Sequence, residues 1–176
     1  MVYVEGTTPA TITTPFKSDV VIYVPDESYT QYCKAEGWKD YLSRLTCEQY
    51  DTITVESEAE SANSGIMAKI GVDYVGAVRS LKVTGSINSY DVIQFRDKMP
   101  LLHTLDLSET TVVASSKPFY EGNCTRDNNL GNYAFTGLTK LQSVKLPKGL
   151  TTIGDYMFNE CSNLVSIEIP STVESV

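Results

Sequence analysis

The feature that most constrains this chain is a 23-residue repeat near the carboxyl end of the sequence. Residues 130–147 (LGNYAFTGLTKLQSVKLP) align without gaps with residues 153–170 (IGDYMFNECSNLVSIEIP). Both copies end in L-x-S-[VI]-x-[LI]-P, where apolar and polar residues alternate as in a half-buried strand. One unit of this length cannot bury its apolar side alone, so neighbouring copies must stack. The repeat therefore predicts a structure built from stacked turns.

Two earlier segments carry the same strand pattern. Residues 78–83 (VRSLKV) and 102–107 (LHTLDL) place apolar residues at equivalent positions, 24 residues apart. The next step, from Leu102 to Leu141, is 39 residues, which indicates an insertion at residues 114–129. Strands of the form L-x-x-L-x-L spaced about 20–29 residues apart are typical of leucine-rich repeats. The predicted fold class is α/β: a leucine-rich-repeat solenoid with a parallel β-sheet, preceded by a small strand-plus-helix cap.

Each repeat strand is expected to direct its apolar residues inward and the residues between them outward. Leu141, Val144 and Leu146 then face the core, whereas Ser143 and Lys145 face solvent. In a stack of parallel strands, the outward residues of successive turns form columns across the sheet.

The two predicted columns differ in chemistry. One contains only hydroxyls: Ser80, Thr104, Ser143 and Ser166. The other alternates in charge: Lys82, Asp106, Lys145 and Glu168. One interpretation is a self-neutralising ladder that stabilises the stack. The other is a ligand-binding face, for which the candidates are Thr104, Asp106, Ser143, Lys145, Ser166 and Glu168.

The insertion at 114–129 is a second candidate binding surface. Loops carry binding residues more often than the scaffold that supports them. The insertion contains Phe119, Tyr120 and Arg126, which are residue types favoured in binding hot spots. The alternative is an ordinary loop held in place by its own aromatic side chains.

The first 50 residues differ in pattern from the repeats. Residues 20–25 (VVIYVP) predict a strand ending in proline, and Ser28 with Gln31 resembles a capping box. Aromatic and apolar residues from Tyr29 to Leu45 then recur at helical spacing, with Gly37 as a break. Two short helices are therefore predicted, covering the end of a strand stack with an aromatic face.

Two further helices are predicted later in the chain. Residues 51–64 are acidic and polar, after which Ile66 and Ile70 indicate a short helix. Residues 89–99 predict a helix that Ser89 caps, with Val92, Phe95 and Met99 facing inward. Pro100 is expected to end it.

Charge and composition exclude several functions. The net charge is −8, with 14 Lys and Arg against 22 Asp and Glu, so no basic face for nucleic acid is expected. No apolar run approaches the roughly 18 residues that span a membrane. The single histidine, His103, is expected to be a plain surface residue, and no nucleotide-binding or nucleophile motif is present. We therefore predict no enzymatic activity, no cofactor and no metal site.

The four cysteines show no metal-binding spacing. They are Cys33, Cys47, Cys124 and Cys161. Their disulfide pairing is left open by the sequence, because four cysteines allow three connectivities. Free, buried thiols are the favoured expectation.

Residues 154–170 (GDYMFNECSNLVSIEIP) resemble the BspA-like leucine-rich repeat family, found on surface proteins of anaerobic bacteria and in some protozoa. Tyr23-Val24-Pro25 and the helical segment after it resemble the element that closes such arrays. Residues 83–108 resemble the way arrays begin. The resemblance implies that residues 1–50 are the closing strand and helical cap of an upstream array. Residues 51–176 would then form a leucine-rich-repeat array with an opening helix and the 114–129 insertion.

The resemblance implies a non-catalytic, extracellular binding or adhesion module of a bacterial surface protein. Its partners would be host matrix proteins or other surface proteins, and no signal sequence is recognised at Met1. A structural spacer in a larger surface protein and a glycan-binding surface using Tyr120 remain alternatives. By the same analogy, Cys161 is a core position. The order of elements also implies a fragment spanning two arrays, whose last turn and whose strand at Val20 would be left exposed.

Overall fold

A computed structural model describes residues 1–59 and 65–176. Within these ranges the strands form two sheets, and every neighbouring pair of strands is parallel. The first sheet has the order β1 (Val2–Tyr3), β2 (Ile22–Tyr23) and β3 (Leu45–Thr46). The second has the order β4 (Thr52–Glu58), β5 (Ser80–Ile87), β6 (Thr104–Val112), β7 (Ser143–Lys145) and β8 (Ser166–Glu168). Because parallel neighbours need crossover connections, each strand is followed by a segment that returns along the molecule.

The spacing between paired strands is similar in both sheets. Ile22 pairs with Leu45, and Ser143 pairs with Ser166, so both steps are 23 residues. Ile22 also pairs with Val2, which makes β2 an interior strand. The expectation that the strand at Val20 is exposed is therefore wrong, since Ile22 is fully buried. The corresponding expectation for the last turn is confirmed, because Ile169 is half exposed.

The first strand of the larger sheet is absent from the sequence predictions. β4 lies within residues 51–64, the acidic and polar stretch for which no strand was predicted. It pairs with β5 along its whole length. Its signal is the alternation of residues 52–58 (TITVESE), in which Ile53 and Val55 face the core cluster. Residues 60–64, the remainder of that polar stretch, lie outside the described residues.

The return segments contain short helices. The α-helices are Tyr29–Lys34 (α1), Glu48–Asp51 (α2), Ile66–Ile70 (α3) and Ser89–Asp97 (α4). In the described ranges, 3-10 helices cover Asp26–Ser28, Lys39–Arg44 and Val75–Ala77. The predicted helix at Ile66 is therefore confirmed. The pair of helices after Tyr29 is confirmed as one α-helix and one 3-10 helix, on either side of Gly37.

Three local predictions for the amino-terminal helices are wrong. The side chain of Ser28 makes no capping hydrogen bond, so the predicted capping box is absent. Leu45 belongs to β3 rather than to a helical face, and Leu42 is exposed. The predicted aromatic face is nevertheless present, because Tyr32 and Trp38 are buried and pack edge to face.

The amino-terminal cap of α4 is Asn88 rather than the predicted Ser89. The Asn88 side-chain oxygen accepts the Tyr90 N–H at 2.9 Å, and Asp91 accepts the Asn88 N–H at 2.9 Å. This reciprocal arrangement is a capping box. Val92 and Phe95 of α4 are buried as predicted. The helix ends at Asp97, earlier than the predicted 89–99, so Met99 is buried just beyond it.

Two apolar clusters underlie the two sheets. The cluster under the larger sheet extends from Val55 to Met157, and the smaller cluster is centred on the aromatic residues of the amino-terminal segment. Tyr50 and Tyr74 pack against both clusters, and their rings stack with centroids 4.4 Å apart. The two sheets therefore share a continuous apolar boundary.

Candidate functional site

The two predicted columns are present on the larger sheet. The strand register aligns Ser80, Thr104, Ser143 and Ser166 in one row, and Lys82, Asp106, Lys145 and Glu168 in the next. The unpredicted β4 adds Thr52 to the first row and Thr54 to the second. The inward residues Leu141, Val144 and Leu146 are buried as predicted. All six candidate residues of the sheet face therefore lie on one surface.

The charged row is neutralised over part of its length. The ammonium group of Lys145 lies 3.5 Å from a carboxylate oxygen of Asp106 and 3.8 Å from one of Glu168. Lys82 instead pairs with Glu109, at 2.7 Å, and this hydrogen bond raises the pKa of Lys82. Exposed pairs of this kind typically contribute at most about 1 kcal/mol to stability. The charges of Lys145 and its two neighbours therefore neutralise one another, and the choice between a stabilising ladder and a binding face stays a prediction.

Asp106 is held by its own strand as well as by Lys145. Its carboxylate accepts the Ser108 hydroxyl at 2.6 Å and the Ser108 N–H at 3.0 Å. Partial burial opposes ionisation, but these hydrogen bonds and the charge of Lys145 outweigh it and lower the pKa of Asp106. The carboxylate is therefore ionised and fixed in orientation at neutral pH.

The insertion is anchored to the repeat scaffold through Thr125. Thr125 is buried, and its hydroxyl donates to the Val113 carbonyl at 2.9 Å. The Ser89 N–H donates to the same hydroxyl at 3.0 Å, and the Thr125 N–H donates to the Ser89 hydroxyl at 2.9 Å. Two tight turns, closed by Tyr120 with Asn123 and by Arg126 with Asn129, shape the rest. These contacts make the insertion an ordered part of the stack.

The three candidate residues of the insertion have different surroundings. Phe119 belongs to the main apolar cluster and is only 9% exposed, so its proposed place on a binding surface is wrong. Tyr120 is exposed, and the Arg96 guanidinium lies over its ring, 4.5 Å from the centroid. Arg126 is exposed, and none of the ion pairs in the described residues includes it.

Tyr120 begins a row of tyrosines on successive turns. Its ring lies 5.2 Å from that of Tyr133, which stacks on Tyr156 at 5.1 Å and an interplanar angle of 10°. Tyr133 and Tyr156 occupy equivalent repeat positions and both have positive φ. The rings of Tyr120 and Tyr133 are tilted by 50°, and Tyr156, the last of the row, is 64% exposed.

The sheet face and the insertion are separate surfaces. Thr104 and Asp106 lie at the beginning of β6, whereas the insertion follows its last residue, Val112. At about 3.3 Å per residue, a straight strand would separate Asp106 from the start of the insertion by at most roughly 26 Å. A shift in the pairing of β5 with β6 bends its course. The structure therefore groups the sheet candidates together but does not bring the insertion candidates to them.

His103 precedes β6 and is half-buried rather than fully on the surface. Its Nδ1 lies against the Leu101 carbonyl, and its own carbonyl accepts the Gln142 and Ser143 N–H groups of the next turn. Burial, followed by the nearby charges of Arg79 and Lys140, lowers the pKa of His103 below its ordinary 6.5. The folded state thus favours the neutral ring.

We expect the free energy of unfolding to decrease between pH 7.5 and 5.5 by more in the wild type than in His103→Gln. Because the pKa of His103 is lowered by folding, the unfolded chain binds the proton more tightly. The stabilisation is complete above the unfolded pKa and is lost as pH falls through the folded value. Urea unfolding at the two pH values measures it. Equal losses in both proteins would contradict the assignment.

The cysteines are the remaining reactive groups that the sequence analysis singled out. Cys33, Cys47, Cys124 and Cys161 are all free, and burial raises the pKa of Cys47 to about 12. Cys161 is half-buried and its thiol donates to the Phe135 carbonyl at 3.1 Å. Residues 1–59 and 65–176 contain no cluster of metal-ligating side chains. Within the same ranges no helix has the length and apolar character needed to span a membrane.

A family model matches the carboxy-terminal part of the chain. The family model described as "BspA type Leucine rich repeat region (6 copies)" matches residues 125–176. This range includes both copies of the 23-residue repeat, residues 130–147 and 153–170. No curated protein matches the chain.

Proposed function

Since residues 125–176 carry BspA-type leucine-rich repeats, we propose that the chain is a non-catalytic module of a bacterial surface protein that binds other proteins. In this proposal the second sheet is one face of a leucine-rich-repeat solenoid exposed outside the cell. Residues 1–50 close an upstream array, and residues 51–176 form the array that follows, with an opening helix and the 114–129 insertion. The equal steps from Ile22 to Leu45 and from Ser143 to Ser166 support this division.

The observation that carries the proposal is the open sheet face. Its outward rows combine hydroxyls with charges of both signs, and Lys145 and Glu168 keep about half or more of their side chains exposed. An open face without deep walls suits a protein surface better than a small substrate, which is usually enclosed in a cleft. Mixed charges favour a partner with complementary charges, which gives specificity. The proposed partners are extracellular matrix proteins and other surface proteins. The proposal includes neither binding of nucleic acid nor direct insertion into a membrane.

We expect Lys145→Ala to weaken binding to a matrix partner about tenfold, which corresponds to the loss of one buried charged contact at an interface. The matched control is Lys148→Ala, an exposed lysine three residues further on and outside the strand. Both variants should unfold within about 1 kcal/mol of the wild type, because exposed ion pairs contribute little. Biolayer interferometry against a panel of immobilised matrix proteins and mucin at physiological salt measures the affinities.

A paired variant distinguishes the two surfaces. Tyr120→Ala combined with Arg126→Ala alters the insertion and leaves the sheet rows unchanged. Loss of binding in this variant alone would place the protein site on the insertion. Binding by mucin alone would favour the glycan-binding alternative. If no immobilised protein binds the wild-type chain, the spacer alternative is favoured and the binding proposal fails.

A further inference from the structure

A cavity of about 350 Å³ lies between the amino-terminal segment and the turn that contains α4. Ser18, Ser43 and Arg44 line it on one side, and Arg96, Leu102 and Lys140 line it on the other. Return segments of both sheets therefore contribute to the wall of the cavity. It shares no residue with the sheet face proposed to bind proteins.

The cavity is positively charged in a chain whose net charge is −8. Three of its lining residues are cationic and none is acidic. Among the ion pairs of the described residues, none involves Arg44, Arg96 or Lys140. No carboxylate of the described residues therefore pairs with these charges, although the sequence contains 22 acidic residues.

Both guanidinium groups are oriented by neutral partners. Arg44 donates to the Lys17 carbonyl and lies over the Tyr41 ring, 4.8 Å from its centroid. Arg96 donates to the Phe119 carbonyl at 3.1 Å and to the Thr136 carbonyl at 3.4 Å. Contacts with carbonyl groups and rings restrict a guanidinium without cancelling its charge. Binding of a ligand would therefore cost less side-chain conformational entropy. These partners lie beside the cavity rather than in its lining, and the Arg96 guanidinium also lies over the Tyr120 ring. Cationic residues around a concave site favour an anionic ligand.

We propose that this cavity binds a sulfated saccharide. Three cationic residues around a small cavity match a ligand that carries more than one anionic group. A single carboxylate side chain carries only one. The hydroxyls of Ser18 and Ser43 provide partners for sugar hydroxyls, and Leu102 adds an apolar wall. The volume lies at the lower end of the usual range for ligand sites, about 300–1,000 Å³, which limits the bound part to one or two sugar rings.

The test uses a fully sulfated heparin-derived disaccharide as the probe, with the whole chain at physiological salt. The comparison ligands are the chemically desulfated disaccharide, inorganic sulfate and a pentaglutamate peptide. Isothermal titration calorimetry measures the affinities of the wild type, Lys140→Gln and Lys148→Gln. The two variants remove the same charge from exposed lysines, but only Lys140 lines the cavity. Circular dichroism checks that both variants keep the wild-type fold.

We expect the sulfated disaccharide to bind the wild type and to bind Lys140→Gln about five- to tenfold more weakly, since a charged hydrogen bond is lost. Lys148→Gln should change the affinity less than twofold. Absence of binding by the wild type, or equal weakening in both variants, would overturn the proposal. Tighter binding of pentaglutamate would reassign the cavity to an acidic peptide, and equal binding of inorganic sulfate would remove the role of the sugar. The sheet-face test uses Lys145→Ala, which changes no residue of the cavity, so failure of one proposal is distinguishable from failure of the other. Mucin carries sulfated glycans, so its binding is assigned to the cavity if Lys140→Gln weakens it.

Discussion

Gly85→Ala is expected to destabilise the protein by about 3 kcal/mol or more, because two independent penalties meet at this residue. Gly85 has φ of +84°, a left-handed conformation that side chains rarely adopt. A methyl group on its Cα would also overlap the carbonyl oxygen of Ser57, its partner on β4. A backbone carbonyl cannot move aside as a flexible side chain can. The two strands would have to separate, and urea unfolding would show the loss as a lower midpoint.

Gly137→Ala is the matched control for this prediction. Gly137 has a similar φ of +80°, but no atom lies within 4 Å of the position its Cβ would take. Only the conformational penalty applies, so we expect a loss of about 1 kcal/mol. Equal destabilisation of Gly85→Ala and Gly137→Ala would show that the close approach of β4 and β5 has no energetic consequence.

Phe135→Ala is expected to cost about 3–5 kcal/mol, the usual range for removing a buried aromatic ring. Phe135 is fully buried, and its ring lies between those of Phe95 and Phe158, at 6.5 and 5.5 Å from their centroids. Backbone hydrogen bonds tie the same turn to the next one, including the Phe135 N–H to the Met157 carbonyl at 2.9 Å. The surrounding turns therefore cannot collapse easily into the space left by the ring.

Phe158→Ala provides the control, because Phe158 occupies the same position one repeat later. Phe158 is half-buried. Within the described residues, the ring of Phe135 is the one aromatic ring that packs against it. We expect roughly half the loss seen for Phe135→Ala, since the lost stabilisation follows the apolar area removed from water. Chemical denaturation of the two variants measures the difference. A larger loss for Phe158→Ala would mean that stacking between turns does not determine stability here.

The repeats and the columns were predictable because periodicity is a local property. Alternation in residues 141–146 specifies which side chains face inward, and the equal step of 23 residues aligns Ser143 with Ser166. Once one face must be buried, a shift of one residue would expose every apolar side chain, so the register is strongly determined. The sheet candidates Thr104, Asp106 and Lys145 could therefore be assigned to one surface without coordinates.

The cap of α4 depended on a contact that is distant in the sequence. Asn88 and Ser89 are adjacent, and both residue types are good helix caps. Ser89 instead exchanges hydrogen bonds with Thr125, a residue of the insertion 36 positions later. Phe119 is a similar case, since its burial depends on the turns that enclose the insertion. Local preference cannot rank such alternatives when a tertiary partner settles them.

The repeat, its register and the residues of the outward rows follow from local patterns in the chain. Which aromatic residues stay exposed, and which charged groups meet, depends on how distant segments pack. Arg44, Arg96 and Lys140 line one cavity, although more than forty positions separate each from the next. Alternation within a strand involves residues only a few positions apart, so it can be read from the sequence. A cavity forms where return segments pack together, and no local pattern in the sequence predicts those contacts.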